Sequence, residues 1–237
     1  MAYLLWEGPS MLDGAPIVLL ASDTPKNSKT GDLIQTYILR ADQKPYDAIH
    51  SGADESICGS CRFRGHKGKG RLCYVAVAQG PTAVFNAYAR GNSKPVKSLR
   101  KFGKGKKVRL GAYGDPAAIP FEVWAELLHA SIGRTGYTHQ WRTCDPRFKN
   151  LVMASCDYPP DYSEAKALGW YTYRVRLPEE PRMAGERPCP ASTEAGNHVT
   201  CADCLGCDGT RRDFVINAHG TVGQIRAYER FRLTLEA

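Results

Sequence analysis

Residues 107–131, KVRLGAYGDPAAIPFEVWAELLHAS, join a β-rich run to a helix-forming run through one short turn. The first part, 107–115, predicts a strand, and Pro120 predicts the first turn of a helix. The predicted helix has one apolar face, formed by Phe121, Trp124, Leu127, Leu128 and Ser131. The stretch therefore predicts a strand followed by a helix that packs back on the sheet.

The same alternation continues on both sides of this stretch. Strands are predicted at 72–78, 135–142, 151–157 and 170–177, and helices at 81–90 and 163–169. Strands that alternate with helices predict parallel pairing with right-handed crossovers. The expected fold is α/β, with a full or partial parallel βα barrel-like core. Upstream, the β-rich runs 15–22 and 33–40 predict an N-terminal β-hairpin.

The length of 237 residues is enough for one large core, and we expect a single domain. Its expected parts are a β-rich N-terminal segment at 1–50, a βα core at 51–180, and a cysteine-rich loop with closing strands at 181–237. No apolar run is long enough to span a bilayer, and Glu7 and Asp13 interrupt any secretory apolar segment. We therefore expect no membrane partner and a cytoplasmic location, while the oligomeric state stays open.

The late segment 189–207, CPASTEAGNHVTCADCLGC, carries four cysteines at metal-ligand spacing. Cys201, Cys204 and Cys207 form a CxxCxxC run, and Cys189 is the expected fourth ligand. Buried inert cysteines and disulfides are the alternatives. Disulfides fit poorly with an odd count of nine cysteines and a reducing cytosol.

An earlier segment, 56–75, contains a second candidate metal site. Cys58 and Cys61 form a CxxC, and Cys73 follows after eleven residues. Three thiols with His66 as a weak fourth ligand predict a site that keeps one position open. The alternative is a zinc-stabilised loop that is closed by His66 or by a distant cysteine, Cys144 or Cys156.

The net charge of +8 is concentrated in one segment, 94–109, which holds eight Lys or Arg and no acidic residue. Glycines at 103 and 105 predict a mobile basic loop, and flexible cations suit a phosphate backbone. The residues expected to contact phosphate are Lys104, Lys106 and Lys107. The alternative is a solvated surface loop before a strand.

Polar residues follow the predicted strands at their carboxyl ends, where active sites lie in parallel sheets. Asp115, His139 and Asp157 are the candidates for catalysis, because paired carboxylates can share acid and base roles or bind a base edge. Arg142 and Arg174 are candidates for substrate binding. The alternative for each aspartate is the capping of a helix.

An aromatic surface is a further expectation for the third predicted strand. If the pleat alternates, Tyr137, His139 and Trp141 share one face on which a planar base can stack. Ordinary core aromatic residues would give the same pattern, so both interpretations stay open.

Taken in order, these motifs resemble the phage gene-88-product family over about residues 57–220. The resemblance rests on CxxC followed by CY at 73–74, the GDP strand end at 114–116, YTHQW at 137–141, SCD at 155–157, and the closing CP…CxxCxxC…H with His219. It implies a phage protein located in the host cytoplasm, with no defined biochemistry.

A looser resemblance is to radical S-adenosylmethionine enzymes, and GDPAAIPFEVWAELLHA at 114–130 is similar to their second-strand motif and following helix. It implies a [4Fe-4S] cluster on Cys58, Cys61 and Cys73, an auxiliary cluster on the late cysteines, and S-adenosylmethionine as a cofactor. The early spacing departs from the CxxxCxxC of those enzymes. A third resemblance, to transglycosylases, implies base exchange by Asp115 and Asp157 with zinc on Cys201, Cys204, Cys207 and His219.

The expected function is thus nucleic-acid modification by an iron–sulfur protein with one or two clusters. A transglycosylase-like enzyme is the second hypothesis. The third is a non-catalytic module, stabilised by zinc, that binds nucleic acid or a host protein.

Overall fold

The computed structural model describes residues 1–23, 28–65, 71–196 and 199–236. The strands are β1 Ala2–Pro9, β2 Pro16–Ser22, β3 Ile34–Arg40, β4 Lys94–Pro95, β5 Lys107–Tyr113, β6 Gly133–Thr138, β7 Met153–Cys156, β8 Thr172–Arg176, β9 Glu186–Pro188 and β10 Asp213–Asn217. The helices are α1 Pro45–Ser51, α2 Glu55–Cys58, α3 Gly80–Ala89, α4 Leu99–Gly103, α5 Phe121–Leu128, α6 Pro159–Ala167, α7 Cys201–Cys204 and α8 Val222–Glu236.

The described strands form one sheet in the order β4-β1-β2-β3-β5-β6-β7-β8-β10-β9. Pairing is antiparallel for β1–β2 and β2–β3 and parallel for every other neighbouring pair in this order. The mixed α/β class and the mostly parallel sheet are confirmed. Within the described residues the sheet is open, with β4 and β9 at its edges, so a full barrel is not formed.

The strand order explains how the site is positioned. From β3 through β8 each parallel strand lies beside the previous one in the chain, apart from the short edge strand β4. This order is typical of crossovers that all run in one direction, whereas a doubly wound sheet reverses at a switch point. The carboxyl ends of β3, β5, β6, β7 and β8 therefore lie along one rim, called the upper rim below.

The predicted βα unit at 107–131 is confirmed as β5 and α5. Trp124 and Leu127 are completely buried in the main core, and the indole of Trp124 donates a hydrogen bond to the Pro116 carbonyl over 2.9 Å. The predicted hairpin is also confirmed, because β2 and β3 pair antiparallel from Ile17–Arg40 to Ser22–Gln35. β3 then pairs with β5, so the N-terminal segment belongs to the same sheet as the βα core.

Two predicted strands differ from the structure for local reasons. Residues 72–78 form no strand, because the amides of Leu72 and Cys73 both bond to the Phe63 carbonyl and hold Cys73 near the early cysteines. The strand predicted at 135–142 ends at Thr138, whose hydroxyl accepts the Gln140 amide over 2.9 Å and turns the chain. A side-chain hydrogen bond of this kind competes with the strand ladder.

The basic segment is also more structured than predicted. It contains β4 and the helix α4, whose N-cap Ser98 accepts a hydrogen bond from the Lys101 amide. Phe102 of α4 packs against Tyr3 with ring centroids 5.0 Å apart. At the other end of the chain, the closing strands β9 and β10 are followed by the helix α8, which the sequence analysis did not predict.

Three apolar clusters lie in the described part of the chain. The first, called the larger cluster, contains the buried faces of β2, β3 and β5 with helices α3 and α5. The second, called the thiol-side cluster, consists of Phe63, Leu72, Val175, Cys189, Ile216, Ala218 and Tyr228. The third consists of Met153, Cys207 and Phe214. None of the described helices is long and apolar enough to cross a membrane.

Candidate metal centre and active site

The early thiols lie at the upper rim. α2 ends at Cys58, the Cys61 amide bonds to the Cys58 carbonyl, and Gly59 between them has a φ of 53°. Burial raises the pKa of Cys58 well above its usual value, and the neighbouring Cys61 and Cys73 sulfurs raise it further. Cys58, Cys61 and Cys73 are all half-buried and lie in the same part of the fold.

Backbone contacts fix this loop to the ends of β5 and β6. The Asp115 amide donates to the Ile57 carbonyl over 2.6 Å, and the Gln140 side-chain amide donates to the Cys58 carbonyl over 3.1 Å. Gly59 allows the close approach of Gln140, since a Cβ on this glycine would lie 2.5 Å from the Gln140 side-chain oxygen. Gln140 is a site residue that the sequence analysis missed, although it lies next to His139 in the YTHQW motif.

His139 lies directly beside the early thiols. Its Nε2 is 3.8 Å from the Cys61 sulfur and 3.2 Å from Oδ1 of Asp157. Asp157 is buried, and Arg62 approaches its other oxygen at 3.7 Å. Two of the three candidates for catalysis, His139 and Asp157, are thus brought together next to the predicted metal ligands.

An ion-pair network extends from this centre to α6. The Asp161 carboxylate forms ion pairs with Arg62 at 3.0 Å and with Arg142 at 2.7 Å. Arg142 also forms an ion pair with Glu164 at 2.6 Å. Arg142 is 37% exposed, so its outer face is accessible to a ligand while its position is fixed by two acids. Arg62 and Asp161 were not predicted as site residues, and their sequence context gives no specific signal.

Asp115 has a different environment from the one expected of an acid or base. Its side chain accepts hydrogen bonds from the Thr138 hydroxyl, the Ala117 amide and the His139 amide over 2.7, 3.0 and 2.8 Å. It is 6% exposed, and burial raises its pKa while these donors oppose the rise. In this arrangement Asp115 caps the 116–118 turn and positions the backbone of His139.

Arg174 lies inside the protein and away from any open surface. Its side chain is 0% exposed and pairs with Glu186 at 2.6 Å and with Glu180 at 2.7 Å. It also donates to the Pro181 carbonyl over 3.1 Å. Direct contact between Arg174 and a substrate would require this buried network to open, so its role here is to support the 177–188 segment.

The late thiols lie lower along the strands than the early ones, beside β6 and the segment that precedes β3. Burial raises the pKa of Cys207, and the nearby Cys189, Cys201 and Cys204 thiols raise it further. The Gly136 amide bonds to the Cys207 carbonyl, and the Cys201 amide bonds to the Lys29 carbonyl ahead of β3. The thiol-side cluster contains Cys189 and packs against Cys61 and Cys73, whereas Cys207 lies in the cluster of Met153 and Phe214, against which Cys204 packs.

The predicted aromatic surface is not formed. Tyr137 packs against Tyr173 at 4.5 Å and hydrogen bonds to Cys207, so it belongs to the late thiol group. His139 faces Cys61, and Trp141 is buried in the larger cluster with its indole donating to the Ser155 carbonyl. The turn at Thr138 is the reason, because side chains alternate between the two faces of a sheet only as far as the strand continues.

The basic segment and the early thiols lie at opposite ends of the sheet. Lys107 begins β5 and pairs with Gly133 at the start of β6, whereas the early loop contacts the residues that follow these strands. The seven residues of β5 span about 20 Å at roughly 3.3 Å per residue. The predicted phosphate contacts Lys104 and Lys106 are exposed, and Lys107 lies 4.0 Å from Asp32.

The donor types fit a metal, but no closed coordination sphere is formed by the described residues. In that part of the chain no group of three or more His, Cys, Asp or Glu side chains stands at the spacing of metal ligands. Thiolates are the ligands of iron–sulfur clusters and structural zinc, and each cysteine group supplies at least three of them. A metal would have to draw the sulfurs together, and His66 lies outside the described residues.

A cavity of about 970 Å³ opens at the upper rim beside the early loop. Gly59, Ser60 and Gln140 form the wall that faces the thiol loop. Its volume is at the upper end of the range for small-molecule sites. Cys144 also lines this cavity, and burial raises the pKa of its thiol to about 12.

Comparisons with protein families, with curated proteins and with solved structures found no match to this chain.

Proposed function

We propose that the chain is an iron–sulfur protein that modifies nucleic acid, built on an open, partial-barrel βα core like that of radical S-adenosylmethionine enzymes. One observation carries the proposal: three half-buried thiols, Cys58, Cys61 and Cys73, lie at the carboxyl ends of parallel strands, and Cys61 contacts the His139–Asp157 pair. Phage origin and a place in the host cytoplasm belong to the same proposal, through the resemblance to the gene-88-product family.

The early site would hold a [4Fe-4S] cluster through its three sulfurs and leave one iron for an exchangeable ligand such as S-adenosylmethionine. Such a cluster supplies single electrons to that ligand when it is bound. His139, Asp157 and Arg62 orient the wall beside it, and the cavity of about 970 Å³ next to the loop offers space for a substrate base. The late thiols would hold a second cluster or a zinc ion.

The charge distribution supports a polynucleotide substrate. Exposed cations lie in and around α4 and at the start of β5, namely Lys94, Lys97, Arg100, Lys101, Lys104 and Lys106. They are separated from the early site by about the length of β5, roughly 20 Å. A long polyanion can contact both ends at once, so these cations would hold the backbone while a distant nucleotide enters the cavity.

A zinc-stabilised binding module is the second candidate. It is favoured by the packing of thiols against two small apolar clusters, with Cys61 and Cys73 on the thiol-side cluster and Cys207 in the cluster of Met153 and Phe214. A structural metal at either place would contribute to the stability of the fold. The transglycosylase hypothesis has less support, because the Asp115 carboxylate accepts hydrogen bonds from four internal donors.

Anaerobic purification followed by analysis of iron, acid-labile sulfide and zinc separates these candidates. We expect iron and sulfide in equal amounts in the wild type, and a loss of iron in Cys61→Ala but not in Cys144→Ser. Nucleosides digested from cells that express the wild type should contain a modified species that is missing with Cys61→Ala. Zinc as the sole metal, together with unchanged nucleosides, would reject the proposal and favour the binding module.

A further inference from the structure

Arg134, the second residue of β6, carries a positive charge that is held by carbonyl groups. Its guanidinium donates to the carbonyls of Leu151 and Asp208, each over 3.3 Å, and also to the carbonyl of Asn150. These bonds to described residues use Nε and Nη2, so Nη1 is left for a ligand. Because a carbonyl fixes the guanidinium without a negative charge of its own, Arg134 is a positioned cation.

A second guanidinium, that of Arg211, is held by the same residue, Asp208. Nε of Arg211 lies 2.8 Å from Oδ2 of Asp208, and Nη2 donates to the Leu205 carbonyl. The Asp208 side chain is 12% exposed, whereas that of Arg211 is 48% exposed. Asp208 therefore holds one arginine through its carboxylate and the other through its carbonyl, and the two positive charges face one negative charge.

The environment of this arginine pair favours an anion. Burial lowers the pKa of Arg134, the Asp208 carboxylate opposes this change, and the positive charge of Arg211 lowers the pKa further. An arginine nevertheless stays charged at neutral pH. A bound anion would offset both the burial and the repulsion, and the planar guanidinium is suited to the oxygens of a phosphate group.

The arginine pair lies beside the basic segment 94–109. Lys107 at the start of β5 is in register with Gly133 at the start of β6, directly before Arg134. Leu205, whose carbonyl holds Arg211, packs on Gly133, since a Cβ on this glycine would overlap the Leu205 side chain. Neighbouring strands are about 4.8 Å apart, so the basic segment and the arginine pair form one surface at the amino ends of β5 and β6.

We propose that Arg134 and Arg211 form a phosphate-binding subsite that continues the basic segment, and that one strand of nucleic acid crosses the amino ends of β5 and β6 to reach it. Arg212, which is exposed beside Arg211, extends the positive charge. Lys107 lies 4.0 Å from Asp32, which offsets its charge, and it is not part of the subsite. The proposal deepens the proposed function and rests on it for the class of substrate.

Anisotropy titrations of the full-length protein with labelled oligodeoxythymidine at several salt concentrations test the subsite. Each lost phosphate contact on a single strand should reduce the slope of log affinity against log salt by about 0.7. We expect this reduction in Arg134→Gln and in Arg211→Gln, and a reduction of about 1.4 when both are changed. Arg134→Lys keeps the charge and should keep the slope, as should the control Arg230→Gln on the exposed side of α8.

Arg211→Gln keeps the test valid if Arg134→Gln fails to fold. The Arg211 side chain is about half exposed, so this variant should unfold in urea at nearly the wild-type concentration. A wild-type slope in folded Arg211→Gln would overturn the proposal. An equal reduction in Arg230→Gln, or no measurable affinity of the wild type for the oligonucleotide, would also overturn it.

A second measurement uses the wild type alone and separates nucleic acid from free phosphate. Phenylglyoxal modifies accessible guanidinium groups, and mass spectrometry of peptides locates the product. We expect oligodeoxythymidine to protect Arg211 and to leave Arg230 reactive. Inorganic phosphate at the same concentration of phosphate groups should protect Arg211 much less, because a single ion lacks the contacts along the basic segment. Equal protection by inorganic phosphate would overturn the assignment to nucleic acid.

A failure of the proposed function is recognised separately. Analysis of metals and nucleosides decides whether the protein is an iron–sulfur enzyme, whereas the salt slopes depend on charges at the amino ends of the strands. If the protein contains only zinc and leaves nucleosides unchanged, a reduced slope in Arg211→Gln still supports the subsite, as part of a binding module. If iron and a modified nucleoside are found and the slope is unchanged, only the subsite is rejected.

Discussion

The hydroxyl of Thr138 donates a hydrogen bond to the carboxylate of Asp115 over 2.7 Å, and this contact joins the residues that end β5 and β6 at the upper rim. The same carboxylate accepts the backbone amide of His139 over 2.8 Å. A single buried acid therefore fixes the direction in which the chain leaves β6 toward the early thiols.

Asp115→Asn tests this arrangement. An amide keeps one acceptor oxygen but turns an NH₂ group toward an N–H donor, either that of Ala117 or that of His139. We expect a loss of about 2 kcal/mol or more in the free energy of unfolding, since a buried donor loses its acceptor. Urea denaturation measures the change, and Asp47→Asn on the exposed first turn of α1 is the control. A stability equal to that of the control would contradict the structural role.

Gly59→Ala should damage the early loop. The backbone at Gly59 has a φ of 53° and a ψ of −131°, and an added Cβ would meet the Gln140 amide at 2.5 to 2.7 Å. Gly196→Ala is the matched control, because Gly196 also has a positive φ of 64° but has open space around its Cβ position. We expect the control to cost about 1 kcal/mol and Gly59→Ala clearly more, together with a lower metal content. An equal loss of unfolding free energy in both variants would show that the Gln140 side chain moves aside freely.

Arg174→Met removes the buried cation between two acids. Glu186 is 0% exposed and would be left without its partner, so we expect a loss of about 3 to 5 kcal/mol in unfolding free energy. The control Arg100→Met breaks an exposed pair with Glu126 and should change stability little. If Arg174 instead served mainly to bind substrate, the variant would keep its stability and lose only affinity.

The two thiol groups should bind metal independently. Cys207→Ser should release the late metal and leave the early one bound, and Cys73→Ser should do the reverse, because Cys207 and Cys73 pack in different apolar clusters. Cys144→Ser is the control and should keep both metals, since its thiol lines the cavity and is not grouped with either set. Metal analysis of each purified variant gives the result, and loss of all metal from either single variant would show one shared site.

The exposed cations around α4 should control the salt dependence of nucleic-acid binding. In Lys101→Gln/Lys104→Gln, two fewer phosphate contacts should reduce the slope of log affinity against log salt by about 1.4, at roughly 0.7 per contact for a single strand. Arg182→Gln/Arg187→Gln removes the same charge from exposed positions near β9 and is the control. Anisotropy titrations with single-stranded DNA and RNA at several salt concentrations measure the slopes. Identical slopes for both double variants would place any binding surface elsewhere.

Several features could be predicted because they depend on neighbours in the chain. The apolar spacing of Trp124 and Leu127 and the position of Pro120 were sufficient for α5, since a helix buries residues that recur at its own period. The early and late cysteines were singled out by spacing alone, and their role as metal ligands stays a prediction, because the described residues form no group of three or more metal-ligating side chains. The strand at 72–78 was predicted wrongly, because bonds to the Phe63 carbonyl outweigh its β propensity.

The sequence by itself determined the βα alternation and the residue types that can hold a metal. Helix periodicity and cysteine spacing are patterns within short stretches of the chain, so both can be recognised without a structure. Only the tertiary structure decided that His139 faces Cys61 and that the basic segment lies at the far end of the sheet from the early thiols. It also decided that the side chains of Asp115 and Arg174 bond to partners inside the protein. These relationships join residues separated by tens of positions in the chain, and they follow from strand order and from the turn at Thr138. No local pattern specifies such distances, because they arise only when parallel strands align their carboxyl ends on one rim.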